Sequence, residues 1–298
     1  MKKKNNNLGI LKFLLFLVLL LYTLSLMAPV LWAMMTSLKS YEEYSILENV
    51  IGLPTIQSVS DIFTNFKEAW VQGYASTAVG GEMLYFTIPQ QLINSLLYSL
   101  GCMATAALTP CLTAYVCARY NYKFSKVVYS IVIIAMVIPI VGSMPSELEM
   151  VRALGIYDTF WGLWIQKANF LGMYFLVFYA QFKMIPQAYT EAARIDGASE
   201  MATMVRVILP LAKGTISTVG ILKFVEFWND YQVPMVFMPS HPVLGYGMYQ
   251  FSQRVGQVVS SVPMRISYMI VVTLPILIVF LALHKKLMGN ISVGGIKG

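Results

Sequence analysis

The chain has 298 residues, of which 57% are hydrophobic and only 12% charged, with a mean hydropathy of +0.65. A soluble domain is about 45–50% apolar and about 25% charged, so this composition lacks a solvating coat and describes a membrane protein. It excludes a secreted enzyme, a DNA-binding module or a disordered chain, and the net charge of +7 reads as basic cytoplasmic loops rather than a nucleic-acid surface.

Six segments approach the ~20 apolar residues needed to cross a bilayer. In chain order they are residues 8–35, 93–118, 127–145, 159–181, 211–236 and 264–284. Lys2, Lys3 and Lys4 precede the first, but its apolar run is too long for a signal core, so it reads as a retained span. Basic residues sort by side. Lys2, Lys3, Lys4, Lys12, Arg119, Lys123, Lys126, Lys183, Arg194, Arg206, Lys213, Lys285, Lys286 and Lys297 fall on the side of the N-terminus. The other side receives Lys39, Lys67, Arg152, Arg254 and Arg265, while Lys167 and Lys223 lie within spans. The bias predicts an all-α protein with six spans and both termini cytoplasmic, organised as one transmembrane domain over residues 1–298.

Residues 36–92 form a long external loop with several carboxylates and the aromatic stretch Trp70-Val71-Gln72-Gly73-Tyr74. Loops of this length often carry function; this one can equally cap the helices. Cys102, Cys111 and Cys117 share one apolar stretch, without metal-ligand spacing to His241 or His284, and read as buried inert thiols. Pro110 and Pro139 each remove a helical hydrogen bond, and Pro145 terminates the third span.

The cytoplasmic connection over residues 186–210 is too patterned for a loop. Pro186 suits a first helical turn. Ala188, Ala192, Ile195 and Ala198 recur at helical spacing, opposite Gln187, Glu191 and Arg194. Gly197 follows Asp196 where a left-handed residue ends a helix, and Ser199 caps a second short helix with Glu200 in its first turn. The predicted product is a helix–glycine–helix elbow. It either lies on the bilayer surface or docks onto protein, and its mixed Glu/Arg/Asp face favours protein.

Glu191-Ala192-Ala193, three residues, Gly197, nine residues and Val207-Ile208-Leu209-Pro210 resemble the EAA motif of ABC importer permeases, with Val207 in place of isoleucine. The smaller maltose-permease-like subunits of the carbohydrate branch are similar over nearly the whole chain outside loop 36–92. Shared features include Asn94-Ser95-Leu96, Ala114-Tyr115 with Arg119, Trp228-Asn229-Asp230-Tyr231 and the ending Val293-Gly294-Gly295-Ile296-Lys297-Gly298. The resemblance implies the type I importer permease fold, in a bacterial plasma membrane. The chain would form half the pathway for a di- or oligosaccharide. Glu191, Ala192, Ala193, Asp196, Gly197, Leu209 and Pro210 would dock an ATPase. Implied partners are a second, larger permease, two ATPase subunits that hold ATP and Mg, an extracytoplasmic solute-binding protein and membrane lipid. This chain itself would carry no cofactor and no metal.

Lys223, Glu226 and Asp230 fall at i, i+3 and i+7 within the fifth span, on one helix face. Ionisable groups at that depth must pair or be wetted. Lys223 and Glu226 can pair within the helix, whereas Asp230 needs a partner elsewhere. This face, with Trp228, Asn229 and Tyr231, either lines the pathway, the two aromatic residues acting as stacking surfaces for sugar rings, or forms a subunit interface; family resemblance assigns most sugar contacts to the partner permease. No Walker loop, His-Glu-x2-His helix or Gly-x-Ser-x-Gly elbow is present, and Tyr157-Asp158 lacks a second aspartyl motif, so no enzyme activity is expected. The remaining alternatives are an amino-acid or peptide importer subunit and a non-transport membrane scaffold.

Overall fold

The computed structural model describes residues 6–55, 59–120, 122–138, 142–256 and 261–291. Lys2–Lys4, Pro139 and the terminal Val293–Gly298 run lie outside the described residues. The chain divides into two compact units, one of Met1–Gly73 with Gln250–Val272 and the other of Tyr74–Tyr249 with Thr273–Gly298.

The first unit opens with α1 (Asn6–Ser37). None of its most apolar stretch is buried inside the chain, which suits a helix whose solvent is lipid or another subunit. Beyond it come a π-helical turn (Glu42–Ile46) and α2 (Val59–Gln72). Lys39 is fully buried, 0% exposed. Its ammonium group donates to the carbonyls of Asn49 at 2.7 Å and Val50 at 3.2 Å. Asn65 on α2 donates to the carbonyls of Ser37 and Lys39, both at 2.7 Å, and Glu43 accepts from Asn49 and the Thr55 amide. These bonds give the segment after α1 a fixed conformation, because buried backbone carbonyls must find donors.

The second unit begins with a hairpin, β1 (Ala75–Val79) against β2 (Glu82–Phe86), antiparallel with Ala75 opposite Phe86 and Val79 opposite Glu82. The all-α expectation is corrected here to mostly helical. Gly80 and Gly81 both adopt positive φ, the requirement of a two-residue turn whose twist matches its strands.

Thr87 and Gln90 then form a capping box that starts α3 (Ile88–Arg119). This helix is the axis of the unit. It runs unbroken through Pro110 and packs against α4 (Lys123–Val137), α6 (Phe160–Gln166), α7 (Met173–Met184) and α11 (Lys213–Asn229). Small residues on α3 permit the close packing. Ala107, Cys111, Ala114 and Ala118 receive Phe175, Phe178 and Phe182 of α7 with Val219 of α11. Nearer the other end, Tyr98, Cys102 and Ala106 pack with Leu163, Phe227 and Phe237. Gly101 is required by contact: a Cβ there would lie 2.0 Å from the Trp164 indole nitrogen. The three cysteines are buried free thiols.

Three expected spans are interrupted. The third segment gives α4 and then α5 (Met144–Ala153), and Pro145 sits in the first turn of α5 instead of ending a helix. Proline is favoured there because its missing N–H has no intrahelical acceptor. The fourth segment breaks between α6 and α7, where the Asn169 side chain accepts from the Leu171 amide and Gly172 has φ +142. Residues 186–211 supply α8 (Ala188–Ile195), α9 (Glu200–Thr203), a π-helix (Met204–Ile208) and α10 (Leu209–Leu211). The helical run Glu200–Leu211 meets α11 at 75°. The fifth segment breaks after α11, and α12 (Gln232–Phe237), α13 (Leu244–Gln253) and α14 (Val262–Ile291) complete the chain. Among the described residues, two helices are long and apolar enough to cross a membrane, Leu11–Ser37 and Ile88–Arg119, or three if the bent pair counts as one.

Candidate functional site

The elbow forms as its residue types dictate. α8 ends at Asp196, and Gly197 takes φ +78. The Gly197 amide then donates to Arg194 O and the Ala198 amide to Ala193 O, which closes the helix end. Ser199 caps α9 by accepting from the Ala202 amide at 3.2 Å. Arg194 and Glu200 pair across the bend at 2.7 Å.

Glu200 also accepts from the Tyr120 hydroxyl at 2.6 Å, and Arg119 donates to the Ile185 carbonyl at 2.8 Å. The C-terminal end of α3 is thereby bonded to both ends of the elbow. Tyr120, with the Arg194 guanidinium also beside Glu200, holds that carboxyl below its ordinary range. Sequence reasoning assigns Glu200 only a helix-dipole role; its contact with Tyr120, 80 positions away, has no local signal.

The two sides of α8 differ in exposure. Thr190 and Ala193 are buried, whereas Glu191, Ala192, Asp196 and Gly197 are exposed and Ile195 is 86% exposed. The apolar stripe Ala188–Ala192–Ile195 therefore points away from the rest of the chain, because Thr190 and Ala193 are the residues that seat α8. Ala192, Ala193, Asp196, Gly197, Ala198 and Val207 line a groove of about 680 Å³ in the elbow. Leu209 is half-buried and Pro210 exposed.

The second constellation is a cavity of about 420 Å³ walled by α3, α5, α7, α11 and the break between α6 and α7. Lys223 and Glu226 line it, paired at 2.9 Å as their spacing predicts. The Lys223 ammonium lies 4.8 Å from the Tyr174 ring centre, within cation–π range. Glu147, Gln166, Lys167 and Asn169 complete the polar wall, with Gln166 donating to Glu147 at 3.0 Å. Sequence reasoning misses these four, since they come from other elements and form no motif. Two carboxylates, two ammonium groups and two amides make a charge-balanced, hydrogen-bonding wall.

The rest of the predicted face is redistributed. Asp230 does not continue it: with ψ 122 it lies beyond the helical residues of α11. Its carboxylate accepts from the Gln232 and Val233 amides at 3.1 and 3.2 Å and from the Tyr98 hydroxyl at 2.8 Å. It caps the next helix and ties it to α3. Trp228 is buried against Phe224, their centroids 5.6 Å apart, so its ring is already covered by this chain. Tyr231 stacks on Tyr249 at 5.1 Å, and Asn229 returns its side chain to the Val225 carbonyl at 2.8 Å. Asp158 accepts from the amide and hydroxyl of Ser240, a loop-to-loop link.

Apolar helices around a charge-balanced cavity, with an ordered elbow bonded to the central helix, define a membrane-embedded transport component. The model of the binding-protein-dependent transport system inner membrane component family matches residues 111–289, more than half of the chain, which therefore belongs to that family. It is 26% identical over 287 residues to the diacetylchitobiose uptake system permease protein NgcG of Streptomyces coelicolor, covering 93% of this chain and 86% of that protein. It is 29% identical over 240 residues to the melibiose/raffinose/stachyose import permease protein MelC of Bacillus subtilis, covering 79% and 81%. A chain from the crystal structure of a bacterial ABC transporter for alginate import has the same fold, with a TM-score of 0.73 at 20% identity, covering 96% of this chain and 99% of that one.

Proposed function

We propose that this chain is the permease subunit of an ATP-driven importer for a di- or oligosaccharide in a bacterial plasma membrane. In this reading it has six spans with both termini cytoplasmic and forms half of the translocation pathway beside a larger permease. Two cytoplasmic ATPase subunits bind ATP and Mg, and an extracytoplasmic protein delivers the sugar. The sugar assignment draws on the substrates named for NgcG and MelC. The coupling assignment draws on one observation: an ordered elbow presents Ala192, Ile195 and Glu191 outward while its other side is bonded to α3.

That geometry supplies a transmission. An ATPase pair that closes on ATP grips a different shape from the open pair, and only such differential contact moves an equilibrium. Small side chains at Ala192 and Ala193 let the elbow seat closely, with Glu191 available to a basic rim. Displacement of the elbow reaches the membrane by two routes, through Glu200–Tyr120 to α3 and through α10 to α11, which carries Lys223 and Glu226. Both α3 and α11 wall the cavity, so their relative movement alters it.

Reconstitution with the partner permease, ATPase and solute-binding protein tests the reading. ATP hydrolysis should rise when the loaded binding protein is added with an oligosaccharide. Stimulation by amino acids or peptides alone would overturn the substrate class. A reporter fused after Gly298 should respond as cytoplasmic, and an external signal would remove the six-span arrangement.

A further inference from the structure

A second polar pocket lies on the same side as the elbow, between the end of α3, the start of α4 and the end of α7. It has a volume of about 250 Å³ and is lined by Lys126, Lys183, Ser125, Ser130 and the rings of Tyr120, Tyr129 and Tyr179, with Cys117. No carboxylate lines it, and neither lysine has a carboxylate partner among the described residues. Lys183 lies 5.6 Å from the Tyr179 ring centre, and Tyr129 and Tyr179 pack at 4.8 Å. The pocket thus joins two cations without a carboxylate partner to an aromatic lining, while the hydroxyls of Tyr120, Ser125 and Ser130 already donate to Glu200, Tyr120 O and Lys126 O.

The adjoining helix end adds to the imbalance. α4 starts without a side-chain cap and has no acidic residue in its first turn. It carries Lys123 and Lys126 there instead, against the positive end of the helix dipole. An anion in the pocket relieves both.

The face of α4 that leads away identifies the kind of anion. Lys126, Ser130, Ile133 and Val137 succeed one another at helical spacing. Ile133 is 38% and Val137 77% exposed. The stripe passes from ammonium to hydroxyl to uncovered hydrocarbon, matching a lipid with its phosphate at the pocket and an acyl chain along the helix. A soluble phosphate would fill the pocket alone and make no use of the adjoining stripe.

We propose that Lys126 and Lys183 hold the phosphate of an anionic phospholipid of the cytoplasmic leaflet, whose chain lies along Ile133 and Val137. Basic pockets between helices on the cytoplasmic side are suited to such headgroups. The inference uses the orientation proposed above, but its test reads lipid rather than transport.

The assembled importer, reconstituted in phosphatidylcholine nanodiscs containing phosphatidylglycerol, is extracted gently, and retained phosphatidylglycerol is counted by native mass spectrometry. Retention should fall on the order of tenfold in the double variant Lys126→Gln/Lys183→Gln. It should persist in Lys126→Arg/Lys183→Arg, which keeps the charge, and in Lys123→Gln, a neighbouring charge that does not line the pocket. Equal loss in Lys123→Gln would mean diffuse surface attraction and overturn the site. Displacement of the lipid by millimolar inorganic phosphate would assign the pocket to a soluble anion and overturn the lipid. Both lysines are exposed, so their loss leaves folding intact, and unchanged retention in the double variant would overturn the proposal whatever its sugar uptake.

Discussion

Tyr98 on α3 donates its phenolic hydrogen to Asp230 at 2.8 Å, joining residues 132 positions apart in the chain. The bond is made where α11 ends, and it is accepted by the carboxylate that caps α12. Tyr98→Phe keeps the ring and its edge contact with Phe227 but deletes that donor. A hydrogen bond to a charged group is worth about 1.5–3 kcal/mol, so a lower thermal midpoint of the purified complex is expected. Asp230→Ala, which also removes the cap, should lower it further. An unchanged midpoint in Tyr98→Phe would mean that the bond does not hold the broken helix in place.

Gly197→Asp tests the elbow. An added Cβ meets nothing within 4 Å, but the residue sits at φ +78, where an L-residue pays about 1–2 kcal/mol. No membrane segment is touched, so expression and pairing with the partner permease should be normal. ATPase docking should weaken, or ATP hydrolysis should continue without uptake. Normal uptake at normal expression would remove the coupling role.

The Lys223–Glu226 pair separates a wet cavity from a dry interface. Within this chain its side chains are 17% and 52% exposed; in a water-filled cavity solvent screens such a pair, which then contributes at most about 1 kcal/mol to stability. Glu226→Cys should therefore react with small charged thiol reagents, and Glu226→Gln should reduce transport far more than it lowers the unfolding midpoint. A buried pair would give the opposite pattern: no labelling, and a loss of several kcal/mol for the single change.

Glu200 gives the elbow a pH dependence. Its folded-state affinity for protons is lowered by Tyr120 and Arg194, so the unfolded chain binds the proton more readily. The stabilisation is therefore fully present above the unfolded carboxyl's range and disappears as pH falls through the lower, folded value. Protection of the elbow amides from hydrogen exchange should decline on acidification in the native chain. Glu200→Gln should show low protection throughout, and an identical acid-induced loss in that variant would assign the effect to another group.

Several of these features are legible along the chain because local chemistry decides them. Apolar runs specify α1 and α3, whose backbone groups must be paired internally wherever water is absent. Gly197 and Ser199 specify the elbow because a left-handed C-cap and a side-chain N-cap each act within a few residues. The Lys223–Glu226 pair arises from helical spacing alone. The same periodicity misplaces Asp230, since i+7 implies one face only while the helix lasts, and the carboxylate itself helps end α11 by capping α12. Which residues of α8 face this chain is not legible either: Thr190 and Ala193, both outside the apolar stripe, are the ones that seat it.

Only the tertiary structure decided the remaining partners. Burial of Lys39 depends on the carbonyls of Asn49 and Val50, which converge on its ammonium group only once that turn is folded. Glu147 and Gln166 enter the cavity from elements far from Lys223 in the chain, and Tyr120 finds Glu200 across 80 positions. Sequence periodicity carries the short-range geometry of a helix, in which neighbours three and four apart must meet. Contacts between helices depend on where each one stops and turns, and a single carboxylate or glycine at a break redirects every residue beyond it.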